Sequence, residues 1–92
     1  MPFTFEWDAE KARANAEEHG VLFDEAATAF GDPLSRTIPD PDHSETEERL
    51  VLMGLSNRAR LVVVAHTERG DRIRIISARL ASKREKRQYE ER

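Results

Sequence analysis

Apolar and polar residues first alternate, in Phe3-Thr4-Phe5-Glu6-Trp7, and that period of two is the mark of a short half-buried strand. Asp8 follows as a helix N-cap, offering a side-chain oxygen to the unpaired amides of a helix over 9–18. His19-Gly20 ends this helix, because glycine accepts the left-handed conformation common just past a C-terminus. Lys11, Asn15 and His19 recur every four residues as a polar stripe, expected opposite the apolar face and in solvent. Phe23, Ala26, Ala27 and Phe30 then fall at helical spacing, so a second helix buries one face before Gly31-Asp32-Pro33 stops it.

From residue 34 the period returns to two. A weak strand is predicted over 34–38, with Leu34, Arg36 and Ile38 on one side, followed by an exposed acidic loop over 39–48. Strands are expected over 49–56, 61–66 and 72–79, joined by the short turns Asn57-Arg58-Ala59 and Arg69-Gly70-Asp71, which favour antiparallel neighbours. Ser82 and Glu85 form a capping-box pattern for a closing helix through about Tyr89, a helix with few apolar anchors and marginal on its own. The sum is an α+β fold: two N-terminal helices packed on a mostly antiparallel sheet, a short C-terminal helix, and one sheet face left available. No repeat, Gly/Ser linker or low-complexity tract interrupts the chain, so residues 1–92 are expected to form a single domain.

Composition narrows the classes. Hydrophobic residues at 38% against charged residues at 36% leave a small core beneath a charged surface, so partners can matter for stability. Cysteine is absent, which excludes disulfides and thiolate metal sites. The longest apolar run, 61–65, is too short to span a bilayer and no signal-like segment opens the chain, so a cytoplasmic protein without membrane contact is expected. The net charge of −3 hides an asymmetry: residues 1–57 hold four basic and thirteen acidic side chains, residues 58–92 eleven basic and five acidic. A basic second half suits a polyanion, since each cation set on a phosphate releases counterions, although solubility alone explains such charges equally well.

Phosphate-cradling glycine loops, His-Glu-x-x-His and Gly-x-Ser-x-Gly are all missing, and the three histidines are dispersed, so neither a metal nor a cofactor is expected. RNA cleavage without a metal needs a base for the ribose 2′-OH, cations for the pentavalent phosphate and an acid for the leaving 5′ oxygen. His66, at a strand end, and His43, beside Glu45, Glu47 and Glu48, are the proton-transfer candidates; a structural histidine and a solvated loop residue are the plainer readings. Arg72 and Arg74 share one strand face, about 7 Å apart, a spacing that phosphates span. Ser77 and Arg79 lie on the opposite parity, so either the strand bends at Ile76 or one of these arginines is outside the site. Lys11 on the polar stripe, and Lys83 and Arg84 in the basic run 83–87, are RNA-binding candidates that solvated helix faces explain as readily.

The string Phe5-Glu6-Trp7-Asp8, then Lys11, Asn15, His19-Gly20-Val21, Phe23 and Glu25-Ala26, resembles the opening of BrnT-type toxins. Asp42-His43-Ser44, Glu48-Arg49, Gly54, Arg60, Val62-Val63-Val64, His66-Thr67-Glu68-Arg69, Arg74 to Arg79 and Tyr89-Glu90 continue the resemblance in the same order. Glu18 and Leu80 depart from it, standing where the family often has a basic residue. The resemblance implies a RelE-like fold, RNA cleavage that inhibits translation, and a ribbon-helix-helix antitoxin that binds both the toxin and operator DNA. With it, Arg49 and Arg79 become the preferred phosphate-stabilising residues. A non-catalytic module of the same fold, acting as a binding partner or co-repressor, is the competing reading, and a plain RNA-binding domain a third.

Overall fold

The computed structural model describes residues 3–41 and 48–91. Strand β1 (Thr4–Glu6) leads into α1 (Ala9–His19) and α2 (Phe23–Thr28), which tightens into a 3-10 turn at Ala29–Gly31. Strands β2 (Arg36–Pro39), β3 (Leu50–Leu55), β4 (Leu61–Arg69) and β5 (Arg72–Leu80) follow, and α3 (Lys83–Glu90) closes the chain. One sheet results, in the order β1-β5-β4-β3-β2; its neighbours are antiparallel except β1, which runs parallel to β5.

The local signals act as their chemistry requires. Asp8 accepts the Lys11 amide at 3.1 Å, and Gly20 closes α1 with φ 70°. Gly70, at φ 65°, permits a two-residue turn between β4 and β5, so β4 runs to Arg69, three residues past the expected end at His66. Ser82 and Glu85 form both bonds of the capping box.

The core lies between α1, α2 and one sheet face: Val21, Phe23, Ala26 and Ala29 pack on Leu52, Val62, Val64, Ile73, Ile75 and Ala78. Phe5 and Trp7 meet Phe30 and Phe23 edge-on, at centroid distances of 5.1 and 5.8 Å. Gly54 lets the 3-10 turn rest directly on β3, since a Cβ there would lie 2.8 Å from the Ala29 carbonyl oxygen. At one sheet end the buried Glu25 accepts from Arg60 Nε at 2.9 Å and from Ser56 Oγ at 2.7 Å, while Arg60 also donates to the Gly20 carbonyl, clasping α2 and the α1 terminus to the β3–β4 turn.

The first helix corrects one expectation. Asn15, assigned to the solvated stripe with Lys11 and His19, is buried against β5, whereas Lys11 and His19 stay exposed. The stripe runs along the boundary of the packed face, so its middle member turns inward.

Candidate functional site

A single extra residue decides which side chains share a face. Ala65 pairs with Ser77 and His66 with Ile75, which leaves Ile76 as a bulge in β5. Parity therefore switches there: Ile73, Ile75 and Ala78 all enter the core, and Arg72, Arg74, Ser77 and Arg79 all face the opposite way. The alternative left open by alternation is resolved in favour of a bend, and no arginine of this strand is lost to the helix side.

The register sets out the face away from α1 and α2 as cross-sheet rows. Arg69, Arg72 and Thr4 form the first, and Thr67, Arg74 and Glu6 the second. Ile38, Val51, Ala65 and Ser77 form the third; Arg36, Met53, Val63 and Arg79 form the fourth. Arg49 stands one residue before β3, its carbonyl accepting the Asp40 amide at 2.8 Å to continue the β2–β3 ladder, and alternation places it with Val51 and Met53 on this face. The cationic rows thus flank a row whose β4 and β5 members are the small residues Ala65 and Ser77. Adjacent rows are about 7 Å apart, so long guanidinium arms from both sides reach a group seated on that middle row.

Carboxylates on the same face hold the arginines in fixed directions. Glu6 accepts from Arg72 at 2.8 Å and from Arg74 at 3.4 Å, and the three line a cleft of about 180 Å³ together with Thr67 and Arg69. Glu85 of α3 takes Arg79 in a two-pronged bond, Nη1 to Oε1 at 2.8 Å and Nη2 to Oε2 at 3.0 Å. The Arg79 fork and the amide of Ser82 together hold the Glu85 carboxyl down at about 2, so it stays ionised and is a poor base near neutrality. Through this pair, and through Tyr89 Oη donating to Asp32 at 2.6 Å, α3 lies over the Met53–Val63–Arg79 end of the face.

The structure therefore brings Arg49, Arg72, Arg74 and Arg79 to one face and sends His66 to the other. His66 is 0% exposed; its ring meets Phe30 edge-on at 4.8 Å, with Nδ1 3.2 Å from the Val64 carbonyl and Nε2 3.1 Å from the Glu68 carboxylate. A strand-end position suggested an accessible ring, but alternation along β4 sets His66 on the same face as Val62 and Val64, toward the helices and the ring of Phe30. Lys11 is exposed on α1, on the helix side of the sheet, and Lys83 and Arg84 are exposed on α3. His43 lies outside the described residues. Sequence reasoning missed Ser77, Thr67, Arg69 and Arg36 as members of the face; the polar residues within otherwise β-branched strands were the available signal. Among the described residues, no three His, Asp or Glu side chains converge as a metal site requires, and no helix is long and apolar enough to cross a membrane.

Comparison with known proteins adds two findings. Residues 7–85 match the family model described as "Ribonuclease toxin, BrnT, of type II toxin-antitoxin system". Among solved structures, the chain is similar to the Brucella abortus ribonuclease toxin BrnT, with a TM-score of 0.68 and 23% identity, covering 88% of this chain and 99% of that one. No curated protein sequence matches it.

Proposed function

The chain belongs to the BrnT family of ribonuclease toxins of type II toxin-antitoxin systems, and we propose that it is an RNA endonuclease whose substrate lies across the open sheet face. The observation that carries this reading is the gathering of Arg49, Arg72, Arg74 and Arg79 from separate positions onto one face, around the small row of Ala65 and Ser77. Planar, permanently charged guanidinium groups suit the charge that develops on phosphate oxygens during transfer. Attack by the neighbouring 2′-OH would make cleavage independent of a metal and leave cyclic phosphate ends. Arg79 and Arg49 are assigned to the phosphate under attack, and Arg72 and Arg74 to flanking phosphates. Lys83 and Arg84, exposed on α3, are assigned to extend the path; Lys11, on the helix side, is better placed for a partner than for this RNA.

A RelE-like fold, inhibition of translation, a cytoplasmic location and a ribbon-helix-helix antitoxin that alone contacts operator DNA complete the proposal, on the strength of the family resemblance. His43 remains the proposed proton-transfer residue, and His66 leaves that role for a packing one. The non-catalytic reading keeps one specific support: both described histidines, His19 and His66, lie on the helix side, so the described part of the open face offers cations but no imidazole.

Cleavage of RNA by the purified protein in EDTA separates the two. The proposal expects cyclic phosphate products and a loss of about 100-fold or more for Arg79→Ala, the scale of removing one transition-state donor. Equal cutting by both proteins overturns the assignment of Arg79, and toxicity or complex formation without turnover favours the binding module.

A further inference from the structure

Strand β5 outruns its neighbour on one side. β1 pairs with it only from Arg72 to Arg74, so beyond Arg74 the outer edge of β5 faces no strand among the described residues. At Ala78 the missing rung is supplied by a side chain: Asn15 Nδ2 donates to the Ala78 carbonyl at 2.8 Å, and the Ala78 amide donates to Asn15 Oδ1 at 3.0 Å. A strand residue points its N–H and C=O to the same side, so one carboxamide can reproduce both bonds of an antiparallel pair. The second Nδ2 proton goes to the Val21 carbonyl at 3.0 Å. Every polar atom of this buried side chain is satisfied, and the arrangement fixes its orientation, because a flipped amide would set its oxygen against two carbonyls.

Ala78 sits between Ser77 and Arg79, two residues past the bulge at Ile76. Whatever pins Ala78 therefore pins the switched parity that carries Ser77 and Arg79 onto the face of Arg72 and Arg74. We infer that Asn15 is a positioning residue for the reaction, acting from the opposite side of the sheet through the backbone of Ala78 to hold Arg79 and Ser77 in the site. The inference rests on the open-face reading above for its functional consequence, and on the carboxamide geometry alone for its structural one.

The role distinguishes Asn15 from an ordinary buried amide. Without it, the Ala78 amide and carbonyl lose their partners at a bulge, where a one-residue slip would return Arg79 to the wrong face. Arg72 and Arg74 are paired with β1 and lie before the bulge, so their hold on RNA does not depend on Asn15. Loss of the carboxamide should then impair the chemical step more than binding.

Asn15→Ala and Asn15→Asp test this, with Asn15→Gln as a variant that keeps the amide but misplaces it by one methylene. Below each variant's melting temperature, turnover per folded molecule should fall by about 100-fold, as a misplacement near 1 Å does, while RNA affinity is retained. In parallel, the Ala78 amide should lose its protection from hydrogen exchange and the Arg79 side-chain NMR signal should shift, with the Arg72 and Arg74 signals in place. Normal turnover in folded Asn15→Ala overturns the inference, as does an equal loss of RNA binding. Should wild-type protein cleave no RNA, the open-face reading fails, and the exchange and NMR shifts still decide the structural claim: unchanged Ala78 and Arg79 signals refute it.

Discussion

Replacing Glu25 by Gln should destabilise the fold by about 2 kcal/mol, and the effect should fade in acid. Glu25 is 4% exposed and accepts from Arg60 through both carboxylate oxygens as well as from Ser56 Oγ at 2.7 Å. Glutamine preserves the shape and one acceptor, but turns the other oxygen into an NH2 that faces a guanidinium donor. A hydrogen bond to a charged group contributes about 1.5–3 kcal/mol, and the lower part of that range applies because Arg60 is about a third exposed and regains water. For a chain of 92 residues whose total stability is roughly 5–14 kcal/mol, this is a large fraction, equivalent to a drop of about 1 M in the urea midpoint. The sign of the pH dependence follows from the cause of the shift. Hydrogen bonds from Arg60 hold the Glu25 carboxyl below its ordinary value of 4.5, so its stabilisation is fully present above that value and is lost as pH falls through the lowered one. The gap between wild type and Glu25→Gln should therefore be full at pH 7 and close on acidification. Arg60→Met should cost more than Glu25→Gln, because it leaves the buried carboxylate without its cation. Urea titrations at several pH values, with the slope unchanged between variants, measure all of this. A midpoint unmoved by Glu25→Gln, or a gap independent of pH, would refute the reasoning.

Glu85→Ala removes the Arg79 fork and half of the capping box, so α3 should loosen by about 1 kcal/mol, seen as faster amide exchange over 83–90. The Glu85 carboxyl is held at about 2, so wild-type α3 should stay docked until the pH approaches that value. With its guanidinium released, Arg79 should also bind RNA more tightly in this variant. Gly54→Ala should destabilise the protein by about 1–3 kcal/mol, because its methyl group meets the Ala29 carbonyl, a backbone atom that cannot swing aside.

The elements were legible in the chain wherever a cap or a turn residue marked a boundary: Asp8, Gly20, Gly70 and Ser82 each stand where their chemistry places them. The site was legible only in part. Alternation put Arg72 and Arg79 on opposite faces and left a bend at Ile76 as one of two readings; the choice between them lies in the pairing with β4 and in the Asn15 carboxamide reaching across from α1, neither of which residues 72–80 encode. His66 shows the same limit from the other side, since a strand-end position in the sequence says nothing about the aromatic ring of Phe30 that covers it. The parallel pairing of β1 with β5 is likewise a long-range choice that a three-residue alternation does not encode. The polar stripe on α1 misled for a related reason: a buried Asn is recognisable only once its backbone partners are known.

Which face of the sheet meets RNA is open to direct observation. Isotope-labelled protein titrated with a 2′-O-methyl oligoribonucleotide, which lacks the attacking hydroxyl, should show NMR shifts at Thr67, Arg72, Arg74, Ser77 and Arg79, with Ala12, Ala26 and His66 unmoved. Shifts confined to α1 and α2, with the arginine signals unchanged, would contradict the account.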